Sequence, residues 1–310
     1  MTGSVVAVVL GAAVLHGTWN AIAKAIPARL VSSTLIALVY LVVGGAACLV
    51  LPLPERAAWP YLLVSAAVQT LYLLLLTAAY AKSEFGSAYP LTRGIAVLGI
   101  TLVSTVFLGE VMTAAQLGGV AVVALALLTL AWAPKGRASA TGTLISVVVG
   151  LTITAYSVLD GVGVRLSGEP LSYAAWLFLL QGVSIPLTCL LLARDKGEFV
   201  RGLRTHAPMG VLGGVLSLAA YTIVVWAQSI APLAVVSALR ETGVLAAGAI
   251  GFLVFREPLS ARRVTATICA VVGIVAIRLG AGPTRSSRRE TPVRACPRAP
   301  RASRRRRPRA

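Results

Sequence analysis

"YPLTRGIAVLGITLVSTVFLGE", Tyr89 to Glu110, is an apolar run of membrane-spanning length with an arginine near its start. "VVSALRETGVLAAGAIGFLVFRE", Val235 to Glu257, repeats the pattern: Arg93 and Arg240 each stand 17 residues before a glutamate that closes the run. Sliding the second half of the chain back by 147 residues superposes both pairs, and a shift of 140 lays Tyr156-x-x-x-Asp160 over His16-x-x-x-Asn20. The two shifts differ by a change of loop length. Such duplication dictates how the remaining spans are counted.

Of the 310 residues, 57% are hydrophobic and 12% charged, with a mean hydropathy of +0.86. A water-soluble domain carries about twice that share of charge, so the outer surface is expected to face lipid. A helix needs roughly 20 apolar residues to cross a bilayer. Five such runs fall at about Gly3 to Ile26, Val31 to Leu51, Trp59 to Tyr80, Ser87 to Leu108 and Thr113 to Trp132. Five more follow at about Gly142 to Arg165, Ser172 to Ala193, Pro208 to Ser229, Pro232 to Phe255 and Ala261 to Leu279. The sequence therefore predicts an all-α integral membrane protein of ten transmembrane helices in two five-helix repeats, residues 1–134 and 135–282. Because five is odd, the second repeat enters from the opposite side, the inverted arrangement of carriers that alternate access around a midplane site. The first run lacks a basic leader and is expected to be a retained helix.

The net charge of +18 is concentrated at one end: residues 283–310 hold eleven Arg and one Glu, which leaves +8 for the rest. This Arg/Pro-rich tail, ending "RASRRRRPRA", is expected to be disordered. Anionic lipid would attract it at about 1 kcal/mol per basic residue near the surface, and no nucleic-acid role is expected. Cys48, Cys189, Cys269 and Cys296 have no paired spacing, so neither a disulfide framework nor a zinc site is predicted.

Charged residues inside a bilayer cost about 2.5 to 3.5 kcal/mol at a helix centre and default to functional candidates, with snorkelling as the alternative for a long side chain near a helix end. Helix 1 reads "LHGTWNAIAK", with His16, Asn20 and Lys24 on one face and Trp19 beside them. From span ends, Asn20 and Arg93 are expected in one leaflet and Asp160 and Arg240 in the other, giving two polar levels. Arg240 then has Asp160 and Glu241 as candidate acids, and an Asp160–Arg240 lock competes with a substrate site. No acid is expected beside Arg93, whose fork of donors suits a carboxylate or phosphate. His16, Asp160 and Glu241 are the proton-site candidates. Tyr72, Tyr89, Tyr156 and Tyr221 join Asn20, Trp19 and Arg93 as candidate substrate contacts. Trp59, Trp132 and Trp176 are expected in the interfacial belt.

The chain has no H-E-x-x-H, G-x-S-x-G or Walker A motif, which argues against a hydrolase or an ATP-driven pump. No cofactor or metal is expected. "HGTWNAIAK" in helix 1, "GE" after helix 4 and "RE" after helix 9, set in ten spans, resemble the EamA family of the drug/metabolite transporter superfamily over about residues 3 to 280. That resemblance implies a secondary carrier of the bacterial inner membrane, exporting amino acids or other small metabolites by proton exchange. It also implies a cavity lined by helices 1, 3, 4, 6, 8 and 9, and cytoplasmic termini. The loops after odd-numbered helices carry most of the Lys and Arg and favour the opposite orientation; the family orientation is kept. Expected partners are a small-molecule substrate, protons and the bilayer, with the oligomeric state open between monomer and homodimer. The alternative is a membrane-anchored scaffold or sensor acting through its basic tail.

Overall fold

A computed structural model describes residues 3–82, 85–131, 140–243 and 261–280. Among them every regular element is helical and no strand occurs. The helices are α1 (Gly3–Ala25), α2 (Arg29–Val50), α3 (Trp59–Lys82), α4 (Phe85–Val106), α5 (Ala114–Ala131), α6 (Ala140–Arg165), α7 (Pro170–Leu192), α8 (Lys196–Ile230), α9 (Leu233–Glu241) and α10 (Ala261–Gly280). Six of them, α1, α2, α3, α6, α7 and α8, contain stretches long and apolar enough to cross a membrane.

Helix starts follow local chemistry. At α7 the Glu169 carboxylate accepts the Leu171 N–H at 3.2 Å, and Pro170 occupies the first turn, where its missing N–H costs nothing. At α8 the Asp195 side chain accepts the Glu198 N–H at 2.9 Å, a cap worth about 1 kcal/mol. The Glu198 N–H and then the Gly197 N–H hold the Asp195 carboxyl below its usual pKa. This cap corrects a boundary. The sequence suggests a loop before Pro208, but α8 begins at Lys196, so His206 is helical, with Nδ1 3.0 Å from the Gly202 carbonyl. Its 35 residues extend about 52 Å, well beyond a hydrocarbon core of about 30 Å.

Packing pairs helices distant in sequence: α2 lies along α7, α1 along α8, α3 along α6 and α5 along α10. α4 packs on both α5 and α6, and α9 contacts α1 and α4. The α5–α10 seam depends on glycine. A Cβ added to Gly119 would stand 2.6 Å from the Gly273 carbonyl oxygen, and one on Gly273 would stand 2.7 Å from that of Gly119. Two backbones at that separation leave no room for a side chain.

The outward surface is apolar. Leu49, Leu125 and Leu191 are 88%, 60% and 73% exposed, whereas the polar and charged residues Asp160, Arg240, Glu241, Gln181 and Gln228 are buried. This inversion of the usual soluble pattern suits a surrounding of lipid chains.

Candidate functional site

The helices line a partly open cavity of about 140 Å³, some ten times the roughly 10 to 15 Å³ that one water requires. Its walls come from α1, α3, α4, α6, α8 and α9 together with α2 and α7. Of the residues singled out in the sequence, His16, Trp19, Tyr72, Arg93, Tyr156, Tyr221 and Arg240 line it.

Glu241 links the two arginines. Its Oε1 accepts from Arg240 Nε at 3.0 Å and Nη2 at 2.8 Å, and from Arg93 Nη1 at 3.4 Å. All three side chains are nearly inaccessible. The expectation of two polar levels with Arg93 lacking an acid is therefore corrected. α4 begins at Phe85, so Arg93 lies eight residues, about 12 Å, along its helix. That depth brings it level with the end of α9, where Arg240 and Glu241 stand. Burying an ion pair is expensive unless further partners satisfy it; here one carboxylate serves two cations.

Asp160 belongs to a different network. Tyr173 donates to its Oδ1 at 3.0 Å, while Gln69 Nε2, at 3.2 Å, and the Tyr221 hydroxyl donate to Oδ2. Gln69 also donates to Ser65 at 3.1 Å. The Asp160–Arg240 lock weighed from the sequence is replaced by this shell of neutral donors, because α3, α7 and α8 surround this turn of α6. Asp160 stands behind the wall formed by Tyr221 and Gln69 and does not itself line the cavity.

His16 and Trp19 act as a unit. The indole N–H of Trp19 donates to His16 Nδ1 at 3.3 Å, and the rings meet edge to face with centroids 5.1 Å apart. Indole is only a donor, so Nδ1 accepts and the hydrogen of a neutral imidazole sits on Nε2. Asn20, proposed as a substrate contact, does not line the cavity: its amide donates to the His16 carbonyl of its own helix at 2.7 Å. Tyr89 lies on α4, but its side chain is outside the described residues.

An aromatic wall completes the cavity. Tyr72 meets Tyr156 with centroids 5.7 Å apart, Tyr40 meets Phe178 at 4.9 Å, and Phe178 meets Tyr221 at 6.3 Å. The Tyr40 and Ser217 hydroxyls are 2.6 Å apart. Tyr40, Gln69, Phe178, Gln181 and Ser217 were missed from the sequence. For Gln69 in "AAVQTLYLL" and Gln181 in "LFLLQGVSIP" the signal was present, since each is a lone amide within an apolar span.

One end of the bundle is tied by a second ion pair. Gly109, in the left-handed region at φ 66°, turns the chain so that Glu110 Oε1 receives Arg165 Nη2 at 2.6 Å and Oε2 receives the Leu233 N–H at 2.8 Å. Arg165 also donates through Nε to the Gln228 carbonyl at 2.9 Å and through Nη2 to that of Ala231 at 2.8 Å. The ends of α4, α6 and α8 and the start of α9 are thereby joined.

No family model matches the chain, and no curated protein does. Among solved structures, one described only as the crystal structure of a protein superposes with a TM-score of 0.68, covering 90% of this chain and 98% of that one at 16% identity. At that identity the likeness shows the fold alone.

Proposed function

We propose that the chain is a secondary carrier of the EamA type, moving a small anionic metabolite across the bacterial cytoplasmic membrane by alternating access coupled to protons. The observation that carries this proposal is the charge at the cavity: two guanidiniums, Arg93 and Arg240, share one carboxylate, Glu241. These three side chains together carry one net positive charge, to which an anion within the cavity would be drawn.

The carrier architecture consists of ten spans in two inverted repeats, residues 1–134 and 135–282, with both termini cytoplasmic; the Arg/Pro-rich tail lies outside the described residues. Support comes from the helix pairing. Exchanging α1–α5 for α6–α10 turns the α1–α8 pair into the α6–α3 pair and maps α2–α7 and α5–α10 onto themselves. A pseudo-twofold axis in the membrane plane would produce that interchange.

Protons enter through Asp160. Glu241 is occupied as counter-ion to both arginines, and His16 Nδ1 is occupied by Trp19. Asp160 is held by neutral hydroxyl and amide groups, so its proton can come and go without breaking an ion pair. Its protonation state alters the charge beside the cavity and hence the hold on an anion.

The test is counterflow in vesicles containing the purified protein. Carboxylated metabolites should exchange across the membrane, and Arg240→Ala and Arg93→Ala should each reduce the rate at least about tenfold, the effect of losing one charge-assisted hydrogen bond. Normal exchange by Arg93→Ala would remove that residue from the site. Absence of exchange for every anionic compound tried, with folded protein, would defeat the proposal.

A further inference from the structure

We infer that the cavity takes up its anion together with a proton on Asp160, so that the two are carried in the same direction and not exchanged for one another. This inference rests on the carrier reading in taking the cavity as the place where a transported anion is held, and it fixes the sign of the proton coupling.

The first observation is a balance of charge. Among the described residues, the charged side chains that are buried are Arg93, Arg240, Glu241 and Asp160, two cations and two anions that sum to zero. A monovalent anion in the cavity would leave one negative charge in excess, and an uncompensated charge is costly in an apolar interior. One proton taken by a carboxylate restores the balance.

The second observation is which carboxylate can take that proton. Glu241 is held by Arg240 and Arg93, and protonating it would take the counter-ion from both. Asp160 is held by neutral groups: Gln69 and Ser65 from α3, Tyr173 from α7 and Tyr221 from α8. The two phenol hydroxyls can donate to a carboxylate or accept from a carboxylic acid, so Asp160 can gain a proton and keep its partners. The buried charges on the other helices packed against α6 are Arg93 on α4 and Arg240 and Glu241 on α9, and of these Arg240 acts on Asp160 through space. His16, on α1, shares the cavity wall with both guanidiniums, where a proton would add a third cation. Tyr221 and Gln69 form the link, since each lines the cavity and also donates to Asp160 Oδ2. One side chain thus separates the carboxylate from an occupant, close enough for the charge of one to change the hold on the other at least about tenfold.

The probe is benzenesulfonate, an aromatic anion with no proton of its own to exchange near neutral pH, and benzenesulfonamide is its uncharged twin. Calorimetry on the purified full-length protein, repeated in buffers of different ionisation enthalpy between about pH 5 and pH 9, counts the protons taken up with each ligand. Benzenesulfonate should bring at least about half a proton at the pH of greatest uptake, the amount that a tenfold linkage requires, and its affinity should fall at least about tenfold from the acid to the alkaline end. Benzenesulfonamide should bring none. Asp160→Asn holds the side chain uncharged and should bind benzenesulfonate at every pH as tightly as the wild type does at the acid end, whereas loss of a merely structural residue would weaken binding throughout. Proton release, binding without proton uptake, or undiminished uptake in folded Asp160→Asn would each overturn the inference. Should Asp160→Asn misfold, the wild-type proton count alone decides. Failure of both benzenesulfonate and benzoate to bind would overturn it along with the anionic reading of the cavity. In vesicles, an inward gradient of benzenesulfonate should acidify the lumen. Proton movement in the opposite direction would overturn the inference and leave the carrier proposal standing, and linked binding without transport of any anion would do the reverse.

Discussion

Arg93 and Glu241 lie 148 residues apart in sequence, yet their side chains meet at 3.4 Å in a region almost closed to solvent. The contact ties α4 to the end of α9, so the two halves of the chain share one charged cluster at the cavity wall.

Removing the shared carboxylate should be severe. Glu241→Gln removes the carboxylate that Arg93 and Arg240 share, and breaking a buried pair by deleting one member costs about 3 to 5 kcal/mol. Thermal unfolding in detergent should fall by many degrees. Asn20→Ala, which deletes one hydrogen bond to a carbonyl of the same helix, should cost no more than about 1.5 kcal/mol. Equal effects of the two substitutions would contradict the central place given to Glu241.

The Glu110–Arg165 pair should hold its end of the bundle shut. Arg165 reaches three acceptors, Glu110, the Gln228 carbonyl and the Ala231 carbonyl. Arg165→Ala removes all of them. Loss of a charge-assisted bond worth about 1.5 to 3 kcal/mol shifts a two-state equilibrium at least tenfold. With cysteine introduced in the cavity as Ser217→Cys, labelling by an impermeant maleimide from the side on which the Glu110–Arg165 pair lies should accelerate by about that factor. Unchanged labelling would mean that another contact closes this face.

Much of the fold was legible because apolar runs and their polar breaks are written residue by residue, as in Pro52-Leu53-Pro54-Glu55-Arg56 between α2 and α3. The site was legible in its members but not in its pairing. His16, Arg93, Tyr156 and Arg240 stand out as polar or aromatic residues in apolar runs, yet depth along a helix turns on two or three residues of boundary, and that error assigned the arginines to different leaflets. Gln69 and Tyr173 could not be matched to Asp160 by any local pattern, because their contacts depend on how α3 and α7 dock on α6. Gly163 shows the dependence: a Cβ there would lie 2.6 Å from the Tyr173 ring, so the glycine admits the phenol to the carboxylate.

Removal of the tail separates a carrier from a scaffold. The Arg-rich segment beyond Gly280 holds more than half of the net charge, whereas every cavity residue lies before it. A chain ending at Gly280 should retain counterflow within about twofold of the full-length rate, since weak surface attraction to anionic lipid affects orientation more than chemistry. Loss of all activity in a truncated chain that still folds would favour the scaffold.

Asp160→Asn should separate binding from coupling. The amide keeps the size of the carboxyl: its oxygen can take the Oδ2 position and accept from Tyr221 and Gln69, while its NH2 takes the Oδ1 position and donates to the Tyr173 hydroxyl, which can reverse its role. What it cannot do is gain or lose a proton at neutral pH. Counterflow, which needs only binding and reorientation, should therefore persist, while accumulation driven by an imposed pH gradient should vanish. Tyr221→Phe removes one donor from a buried oxygen and should weaken coupling less than Asp160→Asn does, by about the tenfold that one hydrogen bond represents. Retention of gradient-driven accumulation in Asp160→Asn would transfer the proton to His16 or Glu241, and His16→Gln in the same assay would then distinguish those two.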